Sequence, residues 1–423
     1  MNNAQNVEAR TPSLFDAEVR ARAEEILGRM SLEEKIGQLT QIGGVSGFVP
    51  GPDPEEIIRR GGAGSVLWLN DPKRFNALQK IAVEESPSKI PLLFALDVIH
   101  GYRTIFPTPL AMAASWDPDV PERAQAIAAR EARAAGIHWT FAPMIDIARD
   151  ARWGCVHETY GEDPYLCSAM SIAFVRGLQG ADWREGVIAT GKHFLGYGLS
   201  EGGLNCAATH LGERELYECF ARPFEAAIRE AGLASIMNSY SEINGVPCVA
   251  SKDVLTDLLR SKMGFDGFVV SDYFAVRRLL TQFHVAADLE EAAIQALEAG
   301  LDVELPNPEA YPNLVQAVRA GRVEMALIDQ AVRRTLTWKF RLGLFEQPYA
   351  QVDQVATLFS DPEPRRLSQQ LAAKSLVLLK NDGLLPLRKD LKRVAVIGPH
   401  ADSMRAFFGW YTFPPILELM REI

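Results

Sequence analysis

A single carboxylate, Asp272, closes the apolar run Phe268-Val269-Val270-Ser271 and is followed by Tyr273. An acid delivered by a buried segment suits nucleophilic attack, and in a closed α/β barrel such groups sit at the C-terminal ends of the strands. Ser271 and Asp272 equally suit a helix cap, because short polar side chains accept from the free N–H groups of a first turn. This segment alone leaves both readings open. Other apolar runs end the same way. Residues 92–97 (LLFALD) finish in Asp97 and lead to His100. Residues 139–143 (WTFAP) lead to Asp146, Arg149 and Arg152-Trp153-Gly154. Residues 188–194 (IATGKHF) carry Lys192 and His193, and residues 234–240 (ASIMNSY) carry Met237, Asn238 and Tyr240. Gathered on one rim, without metal-ligand spacing or a glycine-rich phosphate loop, these groups suit a neutral polyhydroxylated ring. Such a ring takes paired hydrogen bonds on adjacent hydroxyls and an apolar surface against its face. Each residue also has a simpler role. Asp97 can pair with Lys192 or His193 as a structural ion pair, Arg149 and Arg152 can staple their loop to Asp146 or Glu158, and His100 can be a satisfied structural histidine. Trp153 and Tyr240 can be core aromatics. The cluster, more than any member, carries the inference.

To converge, these residues need strands running in one direction. The runs at residues 64–70, 92–97, 139–143, 188–194, 234–240, 268–273 and 301–305 alternate with helical patterns that stop at Gly136, Gly264 and Gly300. Each glycine is placed to take the left-handed residue after a helix. Short buried strands alternating with amphipathic helices imply a parallel sheet covered on both faces. The expected fold is α/β, a (β/α)8 TIM-type barrel with one strand irregular or missed; an open doubly wound sheet is the rival. Helical patterns at residues 16–30 and after the capping box Ser31–Glu34 precede it, a loop is expected at residues 43–54, and a helix over residues 325–342 stops at Gly343. The expected domains are a barrel over residues 1–343, a linker over 344–371, and the start of a second, sandwich-type α/β domain over 372–423. Within the last, residues 372–379 read as helix or strand and 393–398 as a strand. That remainder is too short to fold alone, so the second domain is expected to be truncated. Residues 394–400 (VAVIGPH) have one glycine where a dinucleotide fingerprint needs three, and that reading is discarded.

The bulk properties of the 423 residues narrow the ligand. Apolar residues make up 48% and charged ones 23%, the balance of a chain with a sizeable core. A net charge of −10 and a pI near 5.4 argue against nucleic acid and anionic membranes as partners. The N-terminus lacks a basic-then-apolar leader pattern, so a cytoplasmic location is expected. Five cysteines without C-x-x-C spacing read as free thiols, and seven histidines without H-E-x-x-H give no zinc signature; no metal or other cofactor is expected.

Residues 97–101 (DVIHG), 142–154 (APMIDIARDARWG) with Glu158 and 160–164 (YGEDP), 192–194 (KHF), 201–203 (EGG) and 270–273 (VSDY) together resemble the β-glucosidase branch of glycoside hydrolase family 3. Residues 341–349 (RLGLFEQPY) and 375–381 (SLVLLKN) resemble that family's barrel exit and second-domain entry, and the match runs in order from about residue 30 to 410. The resemblance implies retaining, exo-acting hydrolysis of β-glucosides with Asp272 as nucleophile. It implies that Asp97, Arg152, Lys192 and His193 bind the sugar hydroxyls, with Met237, Tyr240 and Glu158 lining the pocket. Asp97 would take the hydroxyls farthest from the reacting carbon, favouring glucose over xylose. The implied partner is a small oligosaccharide or an aryl or alkyl β-glucoside, and a barrel flank missing its second domain would favour association of copies. Cys155 stands where the family usually has a second Arg, and Ala151 where it often has Pro. Residues 195–197 (LGY) depart from the hexosaminidase branch, whose Asp-His dyad is absent because Thr209 precedes His210. In the β-glucosidase branch the acid/base is a Glu from beyond the barrel, later than residue 423. This chain is therefore expected to bind β-glucosides weakly and to hydrolyse them poorly or not at all, since losing general-acid help costs roughly 10²–10⁴ in rate. A β-xylosidase or broad exo-β-glycosidase, and a non-catalytic sugar-binding barrel, are the alternatives.

Overall fold

The computed structural model of the protein describes residues 14–44, 53–403, 406 and 408–412. Seven strands lie parallel in two runs. The first joins β1 (Gln41–Gly43), β2 (Ser65–Leu67), β3 (Leu93–Leu96) and β4 (Trp139–Thr140); the second joins β5 (Thr190–Phe194), β6 (Ser235–Asn238) and β7 (Phe268–Val270). Parallel bridges Trp139↔Ile188 and Met144↔Lys192 link the runs on one side. On the other, Val303 pairs with Val270 and Glu304 with Thr40, so residues 303 and 304 fill the eighth strand position and the sheet closes. Helices fill the connections. The strand absent from the sequence reading is β1, three residues long with a polar first residue, which gives no apolar run to read.

The pleat of these strands aims the polar groups. On β7, Phe268 and Val270 point into the barrel, where they pack with Leu93, Ala95, Trp139, Ile188 and Val303, while Val269 joins the outer layer against the helices. Trp139 fills the centre, edge-on to Phe141 and Phe268 at 5.1 and 4.9 Å, its Nε1 donating to Thr190 Oγ1 at 2.7 Å. Because successive side chains alternate, Asp272 continues the inward row of Phe268 and Val270. Asp97 likewise continues Leu93 and Ala95, and Lys192 continues Ile188 and Thr190. Three chemical groups thus face one axis at the C-terminal rim.

Ser31 and Glu34 form the expected reciprocal cap at 2.8 and 3.2 Å, and the last barrel helix, Met325–Arg341, is followed by Gly343 at φ 69°. Two expectations are corrected beyond it. The stretch read as a linker holds the helices Val352–Phe359 and Glu363–Lys374, the second docked on the barrel through buried Leu367 and Leu371 and through Ser368 Oγ donating to Ile105 O at 2.6 Å. The elements expected at residues 372–379 and 393–398 do not form, apart from the end of that helix at Lys374. Leu376, Leu379, Val396 and Ile397 lie bare, because no neighbouring strand among the described residues offers them a ladder.

Candidate active site

A cavity with about 490 Å³ of empty space, open solvent at its mouth included, opens where the inward rows leave the barrel. Seven residues besides Asp272 were expected around it, and six of them, Asp97, Glu158, Lys192, His193, Met237 and Tyr240, line it together with Asp272.

Asp97 is locked. Lys192 Nζ donates to its Oδ1 at 2.9 Å and the Tyr273 hydroxyl to its Oδ2 at 3.0 Å, all three groups being largely shut off from solvent. Burial pulls the Lys192 pKa down, but Asp97 and the surrounding acids outweigh it and keep the ammonium charged. A fixed carboxylate beside a fixed cation presents acceptor and donor to neighbouring hydroxyls, as a sugar edge requires.

His193 is held from the far side. Asp146 Oδ2 accepts from its backbone N at 2.7 Å and sits 3.0 Å from its Nδ1, which leaves Nε2 pointing across the cavity at Asp272 Oδ2, 3.3 Å away. Asp272 Oδ1 accepts from Tyr273 N at 2.7 Å. Its Oδ2 is buried and takes no well-aligned hydrogen bond among the described residues. A buried carboxylate oxygen left open costs stability and persists where something else is to use it. The capping reading fails, since the next helix, Ala275–Thr281, has Phe274 at its N-cap position and Ser271 Oγ instead accepts from Leu305 N at 3.0 Å.

Around this pair the site is aromatic. Tyr240 lies beside Asp272, and burial together with that carboxylate raises its pKa well above the ordinary tyrosine value. The Arg278 guanidinium stacks on its outer face, 4.1 Å from the ring centroid. Tyr197 packs edge-on to His193 at 4.8 Å and to Trp153 at 5.0 Å. Burial raises the pKa of Glu158, and pushes the Cys155 thiol up to about 12, so that sulfur is a poor nucleophile.

Arg152 is not part of this cavity. Its guanidinium is exposed and clasps Asp150 through Nε at 3.0 Å and Nη2 at 2.7 Å, a partner two residues away that outcompetes a reach into the pocket. His100 lies outside the cavity lining, its ring nitrogens 2.9 Å from the carbonyls of Phe106 and Trp410; burial lowers its pKa, and the neutral ring donates its one N–H to one of the two. The sequence reading did not assign Tyr197, Asn205, Tyr273 or Tyr411 to the lining, nor Asp146 to the support of His193. Tyr273 adjoins the nucleophile candidate and Asn205 follows the EGG run, so both had a signal of position; Tyr411 had none. Among the described residues no group of three His, Cys, Asp or Glu is placed to hold a metal ion.

Comparison with known proteins places this geometry. Residues 31–338 match the glycosyl hydrolase family 3 N terminal domain and residues 376–422 the glycosyl hydrolase family 3 C-terminal domain. The chain is 37% identical over 422 residues to a beta-xylosidase of Formosa agariphila, covering 96% of this chain and 54% of that protein. It is 36% identical over 413 residues to a periplasmic beta-glucosidase of Salmonella typhimurium, covering 94% and 52%. The solved beta-glucosidase of Listeria innocua in complex with glucose superposes with a TM-score of 0.81 at 35% identity, over 87% of this chain and 53% of that one. The chain spans about half the length of the curated relatives it matches. It belongs to glycosyl hydrolase family 3.

Proposed function

We propose that this chain forms the sugar-binding and nucleophile-bearing part of a retaining, exo-acting glycosidase that releases terminal β-D-glucose from β-glucosides. The observation that carries the reading is the contrast between two buried aspartates on one cavity: Asp97 with both oxygens engaged, and Asp272 with Oδ2 open toward His193. In this reading Asp97, Lys192 and His193 hold the hydroxyls of the sugar, while Met237, Tyr240 and Glu158 shape the pocket. Asp272 attacks the anomeric carbon, the bond to the aglycone oxygen breaks, and that oxygen takes a proton from a general acid. Water, deprotonated by the same group, then displaces Asp272 and releases the sugar with its configuration retained. For that group the resemblance implies a glutamate from outside the barrel.

A 2-deoxy-2-fluoroglucoside with a good leaving group tests the assignment. It should add its sugar mass to the peptide carrying Asp272, and labelling of another carboxylate would overturn it. A β-xylosidase is the second reading, favoured by the similarity to the Formosa protein. The ratio of kcat/KM on aryl β-glucoside to that on aryl β-xyloside decides between the two.

A further inference from the structure

His100 follows β3, and its ring spans two backbone segments: Nδ1 lies 2.9 Å from Phe106 O and Nε2 2.9 Å from Trp410 O. Gly409 is pressed against the same ring, where a Cβ would come within 3.4 Å of His100 Cε1. The indole of Trp410 is 67% exposed, and His100 meets this residue at its backbone carbonyl. The next residue, Tyr411, turns inward and lines the cavity beside Asp97, with Lys192 Nζ 5.3 Å from its ring centroid. Its φ of 57° is left-handed, a conformation costly for an aromatic residue and kept only where the surroundings over-determine it. The barrel alone therefore leaves the pocket unfinished: one wall comes from a segment that matches the family's C-terminal domain.

We propose that Tyr411 is a specificity-determining wall of the sugar pocket, meeting the terminal sugar on the side held by Asp97 and Lys192, and that His100 is the positioning residue that clasps it there. This rests on the glycoside reading above. An aromatic face gives the C–H side of a sugar ring an apolar surface, and it shields the Lys192–Asp97 pair from water, which strengthens their bonds to hydroxyls. A ring in that place also blocks extension of the sugar beyond the bound residue. The clasp on Trp410 O needs the imidazole proton on Nε2, and a glutamine at position 100 could supply an N–H in its stead.

Calorimetric titration of the full 423-residue chain with glucose, paired with thermal melting, tests the proposal. Y411A should weaken glucose binding roughly tenfold, the scale of one well-placed aromatic contact. H100A should weaken it by a similar factor, H100Q should recover most of the loss, and the double variant Y411A/H100A should bind no more weakly than Y411A, because both act through one contact. Unchanged affinity in Y411A overturns the proposal, and it needs no change at the buried histidine. Additive losses in the double variant, or H100Q as weak as H100A at equal melting temperature, overturn the positioning role. If the wild-type chain binds neither glucose nor xylose, the glycoside reading itself falls, an outcome distinct from a wild type that binds and a Y411A that binds equally.

Discussion

The two ends of the barrel each bury an aspartate at a strand, and they treat it in opposite ways. At the N-terminal end Asp302, 1% exposed, takes Arg260 Nη2, Arg334 Nη1 and the backbone N of Val269, each at 2.7 Å. At the C-terminal end Asp272, 3% exposed, takes one backbone N–H and keeps its second oxygen open, with the imidazole of His193 alongside. Burial is nearly equal, so depth does not distinguish the two carboxylates. Saturation does. Asp302 has its charge and lone pairs spent on holding helices to the sheet, whereas Asp272 retains a lone pair aimed into a cavity.

Substitutions can break this contrast. The largest effect is expected at Asp272: D272N should lower turnover of an aryl β-glucoside by roughly 10⁴-fold or more, the scale seen when a nucleophile is removed. Its melting temperature should hold or rise, because an open buried charge is lost. D302N should do the reverse. It leaves two guanidinium groups without their shared anion and should cost about 3–5 kcal/mol in urea unfolding, with turnover per folded molecule unchanged. If D302N instead abolished turnover with no loss of stability, the division between the two ends would fail. D97N removes a charge-assisted acceptor, worth about 1.5–3 kcal/mol, and should weaken glucose affinity by roughly 10–150-fold in calorimetry.

The smallest effect concerns pH at the structural end. Lys339 is buried with its Nζ donating to Gln38 Oε1 at 2.6 Å and Gly64 O at 2.8 Å, and desolvation pulls its pKa down from 10.5 to about 7. Between those values the unfolded chain binds more protons than the folded one, so stability from this group rises with pH from 7 to 10.5, falls as pH drops through that window, and levels off below 7. The urea midpoint of the wild type should therefore gain more between pH 6.5 and 9 than that of K339M.

How much of this was legible in the sequence depends on the range of the physics involved. Where an inward row was apolar and ended in a polar residue, as in Phe268-Val269-Val270 before Asp272 or Leu93 to Asp97, period two carried the group to the rim and the reading held. It failed where a tertiary partner or a nearer one decided. Asp150 captured Arg152 two residues away, and β1 forms because Ser65 to Leu67 lie alongside it, not because Gln41-Ile42-Gly43 is a strong strand. Pro362 and Pro364 read as linker, yet proline is tolerated in a first turn, and there Pro364 opens the helix Glu363–Lys374. Tyr411 reaches the cavity through a contact between its neighbour Trp410 and His100, which no local pattern encodes.

The inward row on β7 also determines how this site can change. Strand pleat makes side-chain direction a matter of parity, so deleting one residue between Phe268 and Asp272 would turn the carboxylate into the helix layer. A two-residue change would keep it inward but shift it along the barrel axis by one pleat repeat, away from His193. Substitution can tune the pocket wall by wall, but the place of Asp272 is discrete: its strand must keep its length, and variation in that length belongs in the loops after Tyr273.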